Sequence, residues 1–327
     1  MEAAARRNAA PRRADSHKAH PKAATHDFPP LQALRCWHAA HAMNERLNVV
    51  LPRLATLLGP VGGAPVALTG GITNRNYRVR FGNVDTVVRL CGKHGAALGI
   101  NRDTEHIATA RAASLDIGPE VLTRLVDDDV LVCAFLPGGA VTIDTVVEPL
   151  AQAIKTFHGS GPLPTAFNVF ALIERAPVGA AMHALARRIG AAVRADGLVP
   201  CHNDLLAANV LSDPQSGVRL LDWEYAGMNH RCFDLGNLVA NNDLDAAATE
   251  RLLAAYFTQG VTDRDRAIVA LMQLVSDLRE AVWGLTQRDL SELDFDYEAY
   301  ADKHFDRVRA RAADPRLEDW IGCAGAA

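Results

Sequence analysis

Several features that would place a sequence in a specialised class are scarce or absent in this one. The 327 residues hold six cysteines but no Cys-x-x-Cys pair, which argues against a zinc site and a disulfide framework and fits a reducing cytoplasm. No apolar run approaches the roughly 20 residues that cross a bilayer, so no membrane span is predicted. The formal net charge is −4, and without a basic excess we expect no nucleic-acid partner.

Residues 1–42 differ in composition and periodicity from the rest of the chain. They contain Arg6-Arg7, Arg12-Arg13 and many alanines without amphipathic periodicity, and no apolar segment of the length of a signal peptide follows the basic residues. We therefore expect a disordered or non-native tail rather than a secretory signal. A helical pattern begins just after Met43.

Residues 43–135 have the periodicity of a β-rich lobe. Strands are predicted over 66–69, 77–81, 86–91, 120–126 and 130–135. Between the third and fourth strands, a helix is predicted to begin near Asn101 or Asp103 and to end at Gly118-Pro119.

Beyond Leu136-Pro137-Gly138-Gly139, the segment 136–327 is mostly helical, interrupted by a short strand pair near residues 210–211 and 218–221. The whole chain is 49% hydrophobic and 22% charged, a mixture typical of a globular protein with a sizeable core. This order predicts an α+β, two-lobed, protein-kinase-like fold. Its N-terminal lobe is an antiparallel β-sheet with one helix, and its C-terminal lobe is larger and helical.

The strongest local pattern lies between residues 199 and 222. His202-Asn203-Asp204 is followed by Asn209, and Asp222 ends an apolar strand. Phosphoryl transfer needs a carboxylate that orients and deprotonates the attacking hydroxyl, together with hard oxygen ligands for Mg²⁺. Asp204 suits the first role, and Asn209 and Asp222 suit the second. His202 is interpreted as a buried brace of the catalytic loop rather than as an acid or a base.

Three segments around this pattern carry a family resemblance. They are residues 201–209 (CHNDLLAAN), 221–229 (LDWEYAGMN) and 233–238 (FDLGNL). They resemble the choline/ethanolamine kinase family, bacterial branch, within the aminoglycoside-phosphotransferase-like group of the kinase fold, over about residues 64–310. The resemblance implies an ATP- and Mg²⁺-dependent phosphotransferase whose acceptor is a small amino alcohol, choline above all.

The resemblance also implies a nucleotide site. Its phosphate loop corresponds to Gly70, Gly71, Thr73 and Asn74, whose backbone N–H groups would cradle phosphate oxygens; an ordinary glycine turn is the alternative. Arg89 stands where protein kinases place a strand lysine, and Glu105 is its expected ion-pair partner, or else a surface carboxylate. Phe135 belongs to the hinge, residues 133–136, along which adenine would lie. Asp234 matches an aspartate that braces the catalytic loop.

The acceptor site is expected to be small and to bind a cation. Only eleven residues separate Asp222 from Asp234, which leaves no platform for a peptide acceptor. A trimethylammonium group requires aromatic faces and nearby carboxylates. By the resemblance, Trp283 and Tyr297 would supply the aromatic faces and Glu224 would add a carboxylate, although an aromatic cluster on a helix can equally be core.

Other acceptors and one other class of function stay open. Glu280 stands where an aromatic residue is expected in the eukaryotic members, which leaves ethanolamine as a candidate. Thiamine and an aminoglycoside or amino sugar are further alternatives. A catalytically inactive nucleotide-binding scaffold is the alternative from a different class. The oligomeric state is left unknown.

Overall fold

The computed structural model describes residues 45–68, 73–193, 197–215, 217–291 and 295–326. The predicted tail, residues 1–42, and Gly70 and Gly71 of the predicted phosphate loop lie outside this part of the chain. In the N-terminal half the elements are α1 (Glu45–Leu58), β1 (Val66–Leu68), β2 (Arg75–Phe81), β3 (Val84–Leu90), α2 (Arg102–Ser114), β4 (Val121–Leu125) and β5 (Val130–Ala134).

The five strands form one antiparallel sheet in the order β1-β2-β3-β5-β4. Val88 of β3 lies opposite Tyr77 of β2 and Val132 of β5, and its side chain is fully buried. In β3, alternate residues from Thr86 to Leu90 are buried, as expected for a sheet with one covered face. The strands predicted from the sequence are therefore present, within a few residues of their expected ends.

Helix α1 covers the buried face of this sheet. Leu47, Val50, Leu51 and Leu54 recur at helical spacing and pack in one cluster with sheet residues such as Phe81 and Val88. Burial of each such side chain stabilises the fold by about 1.5–3 kcal/mol. The helical pattern predicted just after Met43 is therefore α1, and the lobe carries it together with α2, one helix more than the fold prediction gave it.

The remainder of the described chain is mostly helical. Its helices are α3 (Val147–His158), α4 (Val169–Arg175), α5 (Ala180–Val193), α6 (Arg231–Asn241), α7 (Ala246–Tyr256), α8 (Asp263–Leu290), α9 (Tyr297–Ala312) and α10 (Leu317–Gly325). Its short strands are β6 (Gly139–Ala140), β7 (Val199–Cys201), β8 (Val210–Asp213), β9 (Gly217–Leu220) and β10 (Gly227–Asn229). The lobe boundary predicted at residue 135 falls just after β5. None of the helices described here has the length and apolarity needed to cross a membrane.

Two features of the helical part place the site. Strands β8 and β9 pair antiparallel, as do β7 and β10, so the loop after β7 and the loop after β9 come together. Helices α6 and α8 pack very closely at Gly236, where a Cβ atom would lie 2.7 Å from the carbonyl carbon of Met272. Only glycine allows this approach, and α6 is thereby fixed against the long, buried α8.

Candidate active site

The loop between β7 and β8 brings the predicted base and the first predicted metal ligand into contact. Asn209 Nδ2 donates a hydrogen bond to the backbone oxygen of Asp204 at 2.9 Å and to its Oδ2 at 3.3 Å. Asn203, just before the base, has a φ of +67°, a left-handed conformation that asparagine tolerates better than most residues. The loop therefore turns sharply at the residue that precedes Asp204.

Helix α6 anchors this loop through two polar side chains one turn apart. Asp234 Oδ1 accepts the Asn203 N–H at 2.7 Å, and its Oδ2 accepts the His202 N–H at 2.8 Å. Asn237 Oδ1 accepts the Leu205 N–H at 2.6 Å. Burial alone would raise the pKa of Asp234, but the hydrogen bond and charge of His158, 3.0 Å away, hold it below its usual value. The bracing contacts that the resemblance implied for Asp234 are thus present.

His202 links the two loops of the site. Its Nε2 lies 2.9 Å from the backbone oxygen of Leu221, the residue before Asp222, and its Nδ1 lies 3.3 Å from the Asp204 N–H. Burial lowers its pKa. Because Nε2 faces a carbonyl oxygen and Nδ1 faces an N–H group, the contacts fit Nε2 as the donor and Nδ1 as the acceptor. These contacts agree with the interpretation of His202 as a structural brace.

Asp222 follows β9 in a left-handed conformation with φ +61° and forms an ion pair with the N-terminal lobe. Arg89 Nη1, from β3, lies 3.0 Å from Asp222 Oδ1 and 2.6 Å from Glu105 Oε1 on α2. Glu105 is only 2% exposed, so the alternative of a surface carboxylate is wrong. Burial acts to lower the pKa of Arg89, and the charges of Asp222 and Glu105 raise it above its usual value.

The donor set around Asp222 fits a divalent cation. Asp222 Oδ1 is buried, and among the described residues its polar contact is the ion pair with Arg89 at 3.0 Å, without a further hydrogen bond. The Leu221 N–H donates to the backbone oxygen of Asn209 at 2.8 Å, which keeps Asn209 beside Asp222. A carboxylate oxygen and an amide oxygen are the hard ligands that Mg²⁺ prefers.

Glu224 contacts the N-terminal lobe rather than the predicted aromatic residues. Its Oε2 accepts a hydrogen bond from Asn74 Nδ2 at 2.9 Å and lies 3.2 Å from Arg102 Nη1. Arg102 also pairs with Glu105 at 2.7 Å. Burial, followed by the charge of Asp222, raises the pKa of Glu224 to about 8. The contacts of Glu224 therefore connect the two lobes, and its predicted substrate role stays a prediction.

The other nucleotide-site candidates have well-defined neighbours. Asn74 Oδ1 accepts the Gly92 N–H at 3.0 Å, and the backbone of Thr73 passes so close to Gly92 that no side chain would fit there. Phe135 lies beneath the guanidinium of Arg78, 4.0 Å from its ring centroid. The roles of Thr73, Asn74 and Phe135 in nucleotide binding stay predictions.

The predicted acceptor aromatics form one cluster with three neighbours from α8, α9 and the β9–β10 loop. Trp283 has its ring centroid 5.8 Å from that of Tyr297 and 5.4 Å from that of Tyr300. Trp283 Nε1 donates to the Tyr225 hydroxyl at 3.0 Å, and the Tyr300 hydroxyl donates to Glu280 Oε2 at 2.9 Å. Trp283 and Tyr297 are thus brought together, although both are largely buried.

A residue that the sequence did not single out contacts the predicted base. Arg279 on α8 is 4% exposed, and its Nη1 lies 3.1 Å from Asp204 Oδ1 and 2.7 Å from Glu280 Oε1. Burial raises the pKa of Asp204 to about 7, the charges of Glu280 and Asp222 act in the same direction, and Arg279 opposes them. Nothing in the local sequence marks Arg279, because the pairing joins residues 75 positions apart.

Chemically, the site joins a carboxylate with a pKa near neutrality, two candidate oxygen ligands and an arginine fixed beside one of them. Asn209 is bonded to Asp204, and Arg89 pairs with both Asp222 and Glu105. The two groups are joined by the backbone hydrogen bond from Leu221, the residue before Asp222, to Asn209. A carboxylate with this pKa can accept a proton at neutral pH. The arrangement can therefore deprotonate a hydroxyl beside a metal-bound phosphate.

Comparison with known proteins agrees with this geometry. Human ethanolamine kinase 2 is 37% identical over 123 residues, which are 32% of this chain and 32% of that protein, so the match spans about a third of the human protein. A probable ethanolamine kinase A from Dictyostelium discoideum is 25% identical over 301 residues, covering 73% of this chain and 83% of that protein.

The crystal structure of a choline/ethanolamine kinase family protein from Mesorhizobium loti is 28% identical and superposes with a TM-score of 0.69 over 86% of this chain and 97% of that one. The predicted fold class and the resemblance to choline/ethanolamine kinases are confirmed. Residues 66–270, more than half of the sequence, match the phosphotransferase enzyme family. The chain therefore belongs to the phosphotransferase enzyme family.

Proposed function

We propose that this protein transfers the γ-phosphate of ATP to the hydroxyl of a small amino alcohol, with choline as the first candidate acceptor and ethanolamine as the second. The observation that carries the proposal is the pairing of two loops, one with Asn209 bonded to Asp204 and the other with Asp222 paired to Arg89 at 3.0 Å. Positioning and charge stabilisation supply most of the catalysis in phosphoryl transfer, and this set offers both.

In the proposed reaction, Asp204 orients the acceptor hydroxyl and takes its proton as the oxygen attacks the γ-phosphorus, and ADP leaves from the opposite side. A pKa of about 7 suits a base that works near neutral pH. Asn209 and Asp222 would hold Mg²⁺, which when bound neutralises charge on the phosphate oxygens. Arg89 is fixed by Glu105 and Asp222, so its guanidinium is already oriented when the nucleotide binds.

An aromatic cluster and a carboxylate beside it, Glu280, support a cationic acceptor. The rings of Trp283, Tyr297 and Tyr300 form a cluster whose edge is linked to Asp204 through Glu280 and Arg279. Aromatic faces attract a trimethylammonium group, which favours choline. Ethanolamine is favoured by the names of the relatives and by Glu280, because a primary ammonium can donate hydrogen bonds to a carboxylate whereas choline's nitrogen cannot.

A cytoplasmic location is part of the proposal. It is supported by the need for ATP and by five described cysteines that are all free thiols.

The test is a kinetic panel with the full chain and Mg-ATP, using choline, ethanolamine, thiamine and kanamycin as acceptors. Acceptor-dependent ADP release should be greatest with choline or ethanolamine, and ³¹P NMR should show a phosphomonoester. Asp204→Asn keeps the size of the side chain but not its basicity, so kcat should fall by roughly 10²–10⁴-fold. Asp302→Asn, on the exposed side of α9, is the matched control and should be unchanged.

Nucleotide binding without acceptor-dependent turnover in the wild type would favour the inactive scaffold instead. A preference for kanamycin or thiamine would refute the amino-alcohol assignment while leaving the kinase assignment intact.

A further inference from the structure

Arg279 already occupies the cation-binding groups nearest to the predicted base. Its guanidinium lies between the carboxylates of Asp204 and Glu280, at 3.1 and 2.7 Å. Its central carbon lies 4.2 Å from the ring centroid of Tyr225 and 5.8 Å from that of Phe167. Two carboxylates and two aromatic faces are the groups that a protein uses to bind an organic cation.

The other carboxylates near the base are already paired elsewhere. Asp222 pairs with Arg89, and Glu224 pairs with Arg102 and accepts a hydrogen bond from Asn74. These partners belong to the N-terminal lobe, on the nucleotide side. Of the carboxylates near the base in the described ranges, Asp204 and Glu280 are therefore the two left for a cation on the acceptor side, and Arg279 holds both.

An amino alcohol must use the same place. Two carbons separate its nitrogen from its oxygen, so when the hydroxyl is bonded to Asp204 the ammonium must lie among the side chains beside Asp204. Asn209, beside Asp204 Oδ2, carries no charge, whereas Arg279 lies beside Oδ1 with Glu280 and Tyr225 around it. The described groups that could attract the ammonium there are therefore ones that Arg279 contacts. Two cations packed together in a buried site repel each other strongly, so the guanidinium and the ammonium exclude one another.

The guanidinium is also incompletely bonded where it lies. A single nitrogen, Nη1, serves both carboxylates, so neither pair has the bidentate geometry that makes arginine–carboxylate contacts strong. The other terminal nitrogen, Nη2, is buried and donates no hydrogen bond to any residue in the described ranges. A buried donor without a partner disfavours this position. Arg279 therefore balances the charge of the two carboxylates, but it does not use all of its hydrogen-bond donors there.

We infer that Arg279 is an internal substitute for the acceptor's ammonium group: it occupies the cation subsite in the absence of acceptor and leaves it when the acceptor binds. The inference rests on the proposed function and adds a specificity element to it. In the empty enzyme, Arg279 spares Asp204 and Glu280 from being buried side by side as unpaired charges. An uncharged alcohol cannot replace the guanidinium, so the arginine restricts the enzyme to cationic acceptors.

The first test is Arg279→Ala, with choline and ethanolamine kinetics at saturating Mg-ATP. If the acceptor competes with Arg279 and the open form is about one molecule in ten, the acceptor KM should fall about tenfold, because apparent affinity scales with the competent fraction. The two kinetic constants are read separately, since removal of a charge beside Asp204 also changes kcat. Calorimetric binding of choline to the Mg-ADP complex checks that the change in KM is a change in affinity.

The second test restores a free guanidinium ion. In Arg279→Ala, guanidinium chloride at millimolar concentration should compete with the acceptor, raising its KM without changing kcat, and sodium chloride at equal ionic strength should not. The wild type should show no such competition, because its own side chain occupies the subsite. Arg279→Gln, which keeps a donor for Glu280, repeats both measurements if Arg279→Ala does not fold.

Two results would overturn the inference. An unchanged or higher acceptor KM in both variants would show that Arg279 does not compete with the acceptor. Recovery of kcat by guanidinium, with KM unaffected, would show that Arg279 stays in place and positions Asp204. If the wild type phosphorylates no amino alcohol, the proposed function itself fails, and this is seen before any variant is tested.

Discussion

Replacement of Asp234 by asparagine should loosen the catalytic loop while preserving the shape of the core. Asp234 is 1% exposed, and its two oxygens accept the N–H groups of Asn203 and His202 at 2.7 and 2.8 Å. An asparagine has one oxygen and one NH₂ group. Whichever way it is oriented, a backbone N–H of the loop will face another donor.

The size of the effect follows from those contacts. Hydrogen bonds to a charged group contribute about 1.5–3 kcal/mol each, and a buried donor without a partner costs about 1–3 kcal/mol. Loss of one bond, partly relieved by movement of the loop, should lower the free energy of unfolding by about 2–4 kcal/mol. For a chain of this size, that corresponds to a fall in Tm of roughly 3–6 °C. Since the loop carries Asp204, a displacement of about 1 Å would reduce kcat roughly 10²-fold.

Urea denaturation and steady-state kinetics should be measured together on Asp234→Asn and on Asp302→Asn, which changes an exposed aspartate on α9. The control should match the wild type in both assays. If Asp234→Asn had a wild-type denaturation midpoint and a wild-type kcat, the aspartate would not be anchoring the loop. A loss of stability with kcat unchanged would mean that the anchor matters for the fold and not for the position of the base.

Three further predictions concern the metal site, the lobe contact and the pH dependence of stability. Asp222→Asn should raise the Mg²⁺ concentration needed for half-maximal activity by more than about tenfold; an unaltered Mg²⁺ titration would exclude Asp222 as a ligand. Glu105→Gln, which removes the charge paired with Arg89, should lower the free energy of unfolding by about 3 kcal/mol and raise the KM for ATP, and a melting curve like that of the wild type would contradict this. His230 accepts the Cys232 N–H at the start of α6, and burial, followed by the charge of Arg231, lowers its pKa from 6.5 to about 4. The fold therefore favours the neutral ring, so a contribution of up to roughly 3 kcal/mol is complete above pH 6.5 and is lost as the pH falls towards 4. His230→Asn keeps a capping acceptor, so the urea midpoint of this variant should fall less between pH 6.5 and 4 than that of the wild type. An equal fall in the two proteins would refute the assignment.

The elements that the sequence predicted well are those with a local cause. Strands β2 and β3 are separated by the Gly82-Asn83 turn, and β4 and β5 by the Asp127-Asp128-Asp129 turn. Helix α2 follows from its cap at Asn101, whose side chain accepts the Thr104 N–H. Asp204, Asn209 and Asp222 could be proposed together because phosphoryl transfer uses a carboxylate base and hard oxygen ligands for the metal, and their roles stay predictions. The Arg89–Glu105 pair was predictable from the resemblance alone, and the 2.6 Å contact is present.

The parts that were not predictable depend on pairing across the fold. Arg279 lies on a long helix whose sequence gives no sign that it faces a residue 75 positions earlier. Glu224 was expected near the acceptor because it follows Asp222 closely, but the turn at Asp222 directs its carboxylate towards Asn74 and Arg102. Glu292 and Asp294, two acidic neighbours of the aromatic segment, lie outside the described residues.

The contact at Gly236 has a consequence for changing the acceptor range of this protein. The backbones of α6 and α8 are in contact at Gly236, so the two helices cannot move closer together. Moving them apart would disrupt the core that they share. Helix α6 anchors the loop of Asp204, and α8 carries Trp283. Selection for bulkier acceptors should therefore yield truncated side chains along α9, with Tyr300 among the first, rather than substitutions that shift whole helices. Laboratory evolution libraries would be best concentrated there, with position 236 left untouched.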